Sequence, residues 1–302
     1  MGLNLSGMTT ETRNPRTMQL DQMSPLEIVT VMNEEDARVP LAIAKCLPQI
    51  AQAVTWAAES FEKGGRLFYM GAGTSGRLGV LDAAECPPTF GVPKEMVVGL
   101  IAGGEKAFIE AVEGAEDSRE LAVEDLKAHG LTANDFVVGI AASGRTPYVL
   151  GGLDYAKSVG CHTAAIACNI GSAIGKAAEL AIEVNCGPEV LTGSTRLKSG
   201  TAQKLILNMI STGSMVRTGK AYQNLMVDVQ QTNEKLHTRA ENIVIDATGV
   251  EREKARAAID AAGGSLKTAI TMLLADCDAA EAARRLEKAR GHVREAIRLE
   301  VL

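Results

Sequence analysis

The sequence predicts an α/β protein: a three-layer αβα sandwich around a five-stranded parallel sheet, with a small C-terminal helical bundle. Two observations carry that prediction. Five short apolar runs, Arg66–Met70, Met96–Ile101, Phe136–Ala141, His162–Ala167 and Leu180–Val184, are separated by helix-length segments. Runs this apolar mark strands covered on both faces, which is the signature of a parallel sheet. From about Leu197 onward the strand signals stop and helical patterns continue to the end of the 302 residues. An open sheet of this kind binds its ligands at the carboxyl ends of the strands. The composition agrees: hydrophobic residues make up 46% and aromatics only 3%, with 30 glycines, as close helix–sheet packing requires.

Taken in order, Met1–Ser6 satisfies the loose myristoylation pattern. No basic patch follows it, so the match is read as chance and the segment as a tail. Ser24-Pro25-Leu26-Glu27 has the serine, first-turn proline and glutamate of a capped helix start. A longer periodic stretch runs from Pro40 to Glu62 and stops at Gly64-Gly65. Beyond the strands, 197–219 and 221–247 read as long helices. Helix starts then recur at Thr248–Glu251, Ser265 and Asp278–Glu281. The domain boundaries expected are a tail with helices over 1–56, a ligand-binding domain over 57–220 and a helical region over 221–302.

The net charge of −6 argues against a nucleic-acid surface. No run of about 18 apolar residues is present, so no membrane span is expected. The six cysteines form no CxxC pair, and with four histidines they support neither a metal site nor a redox motif. Buried free thiols in a reducing compartment are the expectation. No secretory leader precedes them, which places the chain in the cytoplasm.

The first run leads into Gly71-Ala72-Gly73-Thr74-Ser75-Gly76-Arg77. A glycine-rich strand-to-helix turn lets backbone N–H groups approach an anion. Gly71-x-Gly73-x-x-Gly76 also matches the dinucleotide fingerprint, but the second run ends in Ala102-Gly103-Gly104, without the acid that holds a ribose. Gly73, Thr74, Ser75 and Gly76 are therefore read as a phosphate cradle. Ser143, Gly144, Arg145 and Thr146 form a second such turn after the third run. Ser194, Thr195 and Lys198 lie in a hydroxyl-rich segment that opens the long helix after Leu197. Capped helix starts explain any one segment; together the three favour a phosphosugar pocket.

Two glutamates lie at predicted helix boundaries. The helix begun near Gly76 is not expected to pass Pro87-Pro88, which puts Glu85 at its negative end. Gly114 reads as a helix stop, and Asp117 with Glu120 as a new capping box, which puts Glu116 at a positive end. Those settings raise the pKa of Glu85 and lower that of Glu116, as an acid–base pair requires. A helix dipole supplies only ~0.3–2 kcal/mol. Raising a carboxyl to neutral pH takes roughly 3–4 kcal/mol, so burial is expected to supply the rest. Surface glutamates near helix ends are the plainer reading of position alone.

Taken together, these motifs resemble the N-acetylmuramic acid 6-phosphate etherases, a family with a sugar isomerase (SIS) domain. The resemblance runs from Thr10–Asn14 through Gly71–Arg77, Ala83–Pro88, Val112–Ser118, Ala141–Pro147, Gly200–Lys204 and Asn224–Asp228 to Thr232–Leu236, nearly the whole chain. The family's Ala-Ser-Glu-Cys-Pro-Pro stands here as Ala83-Ala84-Glu85-Cys86-Pro87-Pro88. The resemblance implies the SIS fold, a phosphosugar substrate, Glu85 as catalytic acid, Glu116 as catalytic base, no metal or organic cofactor, and a homodimer whose chains share the site. Other SIS readings stay open on the residues: an aldose–ketose isomerase, a non-catalytic phosphosugar sensor, or a transcription regulator, for which the acidic N-terminal segment offers no basic helix-turn-helix.

Overall fold

A computed structural model describes residues 7–110, 112–229 and 234–299. Met1–Ser6, Ala111 and the Thr232-Asn233 part of the matched motifs lie outside the described residues. The five apolar runs form β1 (Leu67–Gly71), β2 (Val97–Ile101), β3 (Phe136–Ile140), β4 (His162–Ala167) and β5 (Leu180–Glu183), all parallel, in the order β2-β1-β3-β4-β5. Leu67 pairs with Val97 on one side and Phe136 on the other.

The helices, in chain order, are α1 (Pro25–Asp36), α2 (Val39–Ile43), α3 (Leu47–Glu62), α4 (Gly73–Phe90), α5 (Lys106–Ile109), α6 (Arg119–Ala128), α7 (Pro147–Val159), α8 (Ala173–Ala177), α9 (Lys198–Arg217), α10 (Glu234–Thr248), α11 (Arg252–Ala261), α12 (Leu266–Ala275), α13 (Ala279–Lys288) and α14 (Val293–Arg298). The chain divides into two units: residues up to Ala84 with Lys94–Ser211, and Glu85–Pro93 with the residues from Thr212 on.

In the first unit the two-residue alternation of β-strands sorts side chains between two helical layers. Phe68, Met70, Val137 and Ala165 join Ala122 and Leu126 of α6, Val149 and Leu153 of α7, and Ile174 of α8 in one buried cluster. On the other face Trp56 of α3 meets Phe136 edge-on, and the Tyr69 hydroxyl donates to Leu207 O of α9. The sheet is thus covered on both sides, as its apolar strands require. Five cysteines are buried and Cys277 is half-buried. Burial pushes the Cys161 and Cys186 thiols up to about 12, so they stay protonated.

The second unit has its own core, built on Ile243, Val244, Ile259, Leu266, Ile270, Leu286 and Val293. Its helix α12 packs against α10, α11, α13 and α14. Ser265 and Asp278 cap α12 and α13 as expected, each accepting an N–H three residues on.

Several local expectations are corrected. The Pro40–Glu62 stretch is broken: α3 starts afresh at Leu47, with Pro48 in its first turn, where a missing N–H is harmless. Residues 221–247 are not one helix, because Ala221-Tyr222 and Leu225-Met226 pair as a small antiparallel hairpin, β6 and β7, turned at Gln223 with φ +55°. Thr248 closes α10 by donating to Val244 O, and the next helix starts only at Arg252. Most consequentially, α4 continues through Pro87-Pro88 to Phe90. Both prolines lie in its last four residues, so their missing N–H groups disturb only the final turn, and Gly91 N closes the end on Pro87 O at 2.9 Å. Gly114, with φ +75°, belongs to a turn and stops no helix, since α5 already ends at Ile109. The cap of α6 is Ser118, which accepts from Leu121 N, so Asp117 caps nothing there.

One buried acid joins α4 to α9. Asp82 is 6% exposed, and its Oδ1 accepts from Asn208 Nδ2 at 2.6 Å and Ser211 Oγ at 3.2 Å. Burial raises its pKa, against the pull of those hydrogen bonds. A raised folded value means the folded chain holds the proton more tightly than the unfolded one. The stability it contributes is therefore complete below the ordinary value of 3.8 and is lost as pH rises through the raised value. Asp82→Asn should gain in melting temperature relative to wild type as pH rises from 4 to 7. The check is thermal unfolding of both proteins across that range; a gap that narrows with pH would contradict the assignment.

Candidate active site

The strand order places a switch point between β1 and β3. From β1 the chain crosses to β2 on one side and on to β3 on the other, and ligands of open α/β sheets bind in the crevice so formed. Both phosphate-type turns open there.

After β1, the chain enters α4 within two residues. A Cβ added at Gly76 would lie 2.6 Å from Gly71 O and 2.7 Å from Ile101 Cγ1, so only glycine lets the helix start this close to the strand. The first intrahelical bond of α4 runs from Gly76 N to Ala72 O. The N–H groups of Gly73, Thr74 and Ser75 precede it and face the open end of the helix, with the positive end of its dipole. Gly73 is exposed and Thr74 half-buried, whereas Ser75 and Gly76 are buried.

After β3, Gly144 has φ +74°, and an added Cβ would lie 2.4 Å from Ser172 Cβ; both facts require glycine. Asn169 Nδ2 donates to Ser143 O at 3.2 Å and to Thr10 Oγ1 at 3.0 Å, which ties the N-terminal motif to this turn. The two turns share Ser-Gly-Arg, but their arginines are placed differently. Arg77 donates to Phe108 O and Ala107 O, while half-buried Arg145 has no hydrogen-bond or ion-pair partner among the described residues. Arg145 is thus available to an anion.

This turn also holds Glu116. Thr146 Oγ1 donates to Glu116 Oε1 at 3.0 Å, and Tyr148 N donates to Glu116 O at 3.0 Å. Thr146 is the residue before α7, and its hydroxyl serves Glu116 instead of capping that helix. The fold therefore places an exposed carboxylate beside the Ser143–Thr146 turn, held at both its side chain and its main chain.

The third segment is arranged differently from expectation. Lys198 N and Ser199 N, at the start of α9, donate to the two carboxylate oxygens of Glu189 at 3.0 and 2.9 Å, and Ser199 Oγ donates at 2.9 Å. A buried internal carboxylate already fills this helix end. The Lys198 side chain, 1% exposed, turns inward: its Nζ lies 2.6 Å from Glu35 Oε2. Glu35 also accepts from Arg16 and Asn14. Burial alone would raise the pKa of Glu35, but Lys198, Arg16 and Asn14 outweigh it and hold it low. Ser194 and Thr195 stand half-buried in the turn before α9.

Glu85 is exposed, twelve residues beyond Gly73 on α4, about 18 Å along the axis at 1.5 Å per residue. It stands five residues short of the helix end, so the expected dipole at its position is reduced, and burial does not act on it in the single chain. Sequence reasoning missed Glu189, Asn169 and Gln203. Gln203 lay inside a matched motif without a role, and no local rule links Glu189 to a helix nine residues on. Among the described residues, no group of three or more His, Cys, Asp and Glu could hold a metal ion, and no helix is long and apolar enough to cross a membrane.

Comparison with known proteins adds the chemistry's context. The family model of the glucokinase regulatory protein N-terminal SIS domain matches residues 49–157, and that of the SIS domain matches 120–212. The N-acetylmuramic acid 6-phosphate etherase of Exiguobacterium sp. is 62% identical over 97% of this chain and 100% of its own length. The enzyme of that name from Serratia proteamaculans is 61% identical over 98% and 99%. The chain belongs to the N-acetylmuramic acid 6-phosphate etherase family. A solved phosphoheptose isomerase from Francisella tularensis is 18% identical, covering 64% of this chain and 100% of its own, with a TM-score of 0.50, which shows the shared SIS fold.

The buried pair generates a stability prediction. Lys198→Met should cost ~3–5 kcal/mol by stranding Glu35 in the interior. Adding Glu35→Gln to Lys198→Met should recover most of that loss. Denaturant unfolding of the three variants checks it; equal instability of the single and double variants would contradict the ion-pair assignment.

Proposed function

We propose that the chain cleaves the D-lactyl ether of N-acetylmuramate 6-phosphate by elimination and hydration, giving N-acetylglucosamine 6-phosphate and D-lactate. The single observation that carries this reading is Glu116, a carboxylate held by Thr146 at the switch-point turn of a family member. The phosphate binds at Gly73–Gly76 and Ser143–Thr146, where helix N–H groups, hydroxyls and the Arg145 guanidinium supply donors. The opened sugar has a free aldehyde, which acidifies the hydrogen on C2. Glu116 takes that proton. The C3–O bond then breaks, its electron pair leaving with the lactyl oxygen, and Glu85 protonates that oxygen. Water adds across the resulting double bond and restores the hydroxyl at C3. The Thr146 hydroxyl, donating to Oε1, holds the Glu116 carboxylate in place.

Glu85 shapes the assembly. Its place about 18 Å along α4 from the phosphate turn exceeds the reach of one sugar ring. We assign it to the site of a partner subunit, in a homodimer whose chains each complete the other's site. The carboxylate then becomes buried on association, which supplies the desolvation that an acid needs. The enzyme works in the cytoplasm, in peptidoglycan recycling or muramate catabolism.

In deuterated solvent, Glu116→Gln should lose both C2 exchange and lactate release, by ~10²–10⁴-fold. Glu85→Gln should stop lactate release and keep part of the exchange. Equal loss of both activities in both variants would overturn the division of roles, and a ketose phosphate in place of lactate would overturn the reaction. For the shared site, co-refolding the two inactive variants should restore about a quarter of wild-type activity. No recovery would place both glutamates in one chain's site.

A further inference from the structure

Gln203 brings an unmatched donor to the phosphate turn. It lies in the second turn of α9 and is 1% exposed. Its Oε1 accepts from Ser75 Oγ at 2.9 Å, while its buried Nε2 has no hydrogen-bond partner among the described residues. A buried donor left unmet carries its full desolvation cost, so each such group calls for a physical explanation. The neighbourhood is tight: a Cβ added at Gly200, one turn earlier on α9, would lie 3.6 Å from Thr74 Cγ2. Ser75 itself is buried in the first turn of α4, beside the N–H groups at the open end of that helix. With its proton directed at Gln203, Ser75 offers an anion no donor.

An amide side chain exchanges its oxygen and nitrogen by a half-turn of its last torsion, with almost no change in shape. We propose that Gln203 is the positioning residue for Ser75. When a phosphate monoester enters the turn, the Gln203 amide turns over and Nε2 donates to Ser75 Oγ. The Ser75 O–H then swings to a phosphate oxygen, and no covalent bond changes. The orphaned donor thus gains its partner only in the bound state, which ties phosphate binding to the contact between α9 and α4. The N-terminus of α4 is the anion site this serves, since Glu189 caps that of α9. The inference rests on the phosphosugar reading above.

The test uses the full-length chain and N-acetylmuramate 6-phosphate. Gln203→Glu only accepts, so it keeps the Ser75 proton turned inward. KM should rise about ten- to a hundredfold with kcat changed little, the loss expected for one charge-assisted hydrogen bond. Gln203→Met removes the acceptor and should raise KM less. In a Ser75→Ala background, Gln203→Glu should add no more than about threefold, because the residue acts through Ser75. An undiminished effect there would mean charge repulsion and overturn the proposal, as would a fall in kcat with KM unchanged. If the variants fail to fold, the unmutated chain decides. Its Gln203 side-chain amide resonances should shift with N-acetylglucosamine 6-phosphate and with inorganic phosphate, and not with N-acetylglucosamine. Identical responses to all three overturn it. Absence of lactate from wild type would refute the substrate, while the phosphate titration would still test Gln203.

Discussion

The site depends on two helices that run side by side from the same end of the sheet. Ser75 meets Gln203, and seven residues on, Asp82 meets Asn208 and Ser211. Contacts that advance together along both helices mean that α4 and α9 are parallel, with neighbouring N-termini. Two positive helix ends at one place repel each other and attract anions. The fold resolves half of that tension internally, by seating the Glu189 carboxylate on α9. The other half is left at α4, between the carboxyl ends of β1 and β3.

The same logic explains why a base needs so little machinery here. Thr146 gives up its capping role to hold Glu116, and Tyr148 N fixes the Glu116 main chain, so the carboxylate is oriented by the turn after β3. The buried Lys198–Glu35 pair works at longer range. It anchors α1 and the N-terminal motif to the start of α9, and Thr10 and Asn169 extend that anchor to the turn after β3.

Much of this was legible in the residues. Each apolar run became a strand within one residue of its expected end, because a doubly covered parallel strand has no polar alternation to blur it. The turns around Gly76 and Gly144 were readable because backbone approach there tolerates only glycine. Pro87-Pro88 misled, since the two prolines cost α4 their own N–H bonds but disturb only its final turn, which the helix survives. Lys198 misled because a lysine in a hydroxyl-rich helix start looks like a phosphate ligand; its partner, Glu35, is 163 positions away. Glu189, Asn169 and Gln203 act through contacts that only the folded chain creates. The electrostatics expected at Glu85 assumed a helix end that lies five residues further on.

A structure of the chain with N-acetylglucosamine 6-phosphate bound tests the central claim most directly. The phosphate should lie at the N-terminus of α4, within hydrogen-bond distance of the N–H groups at 73–75, with Glu189 still seated on Lys198 N and Ser199 N. A phosphate at the start of α9, with Glu189 displaced, would contradict it.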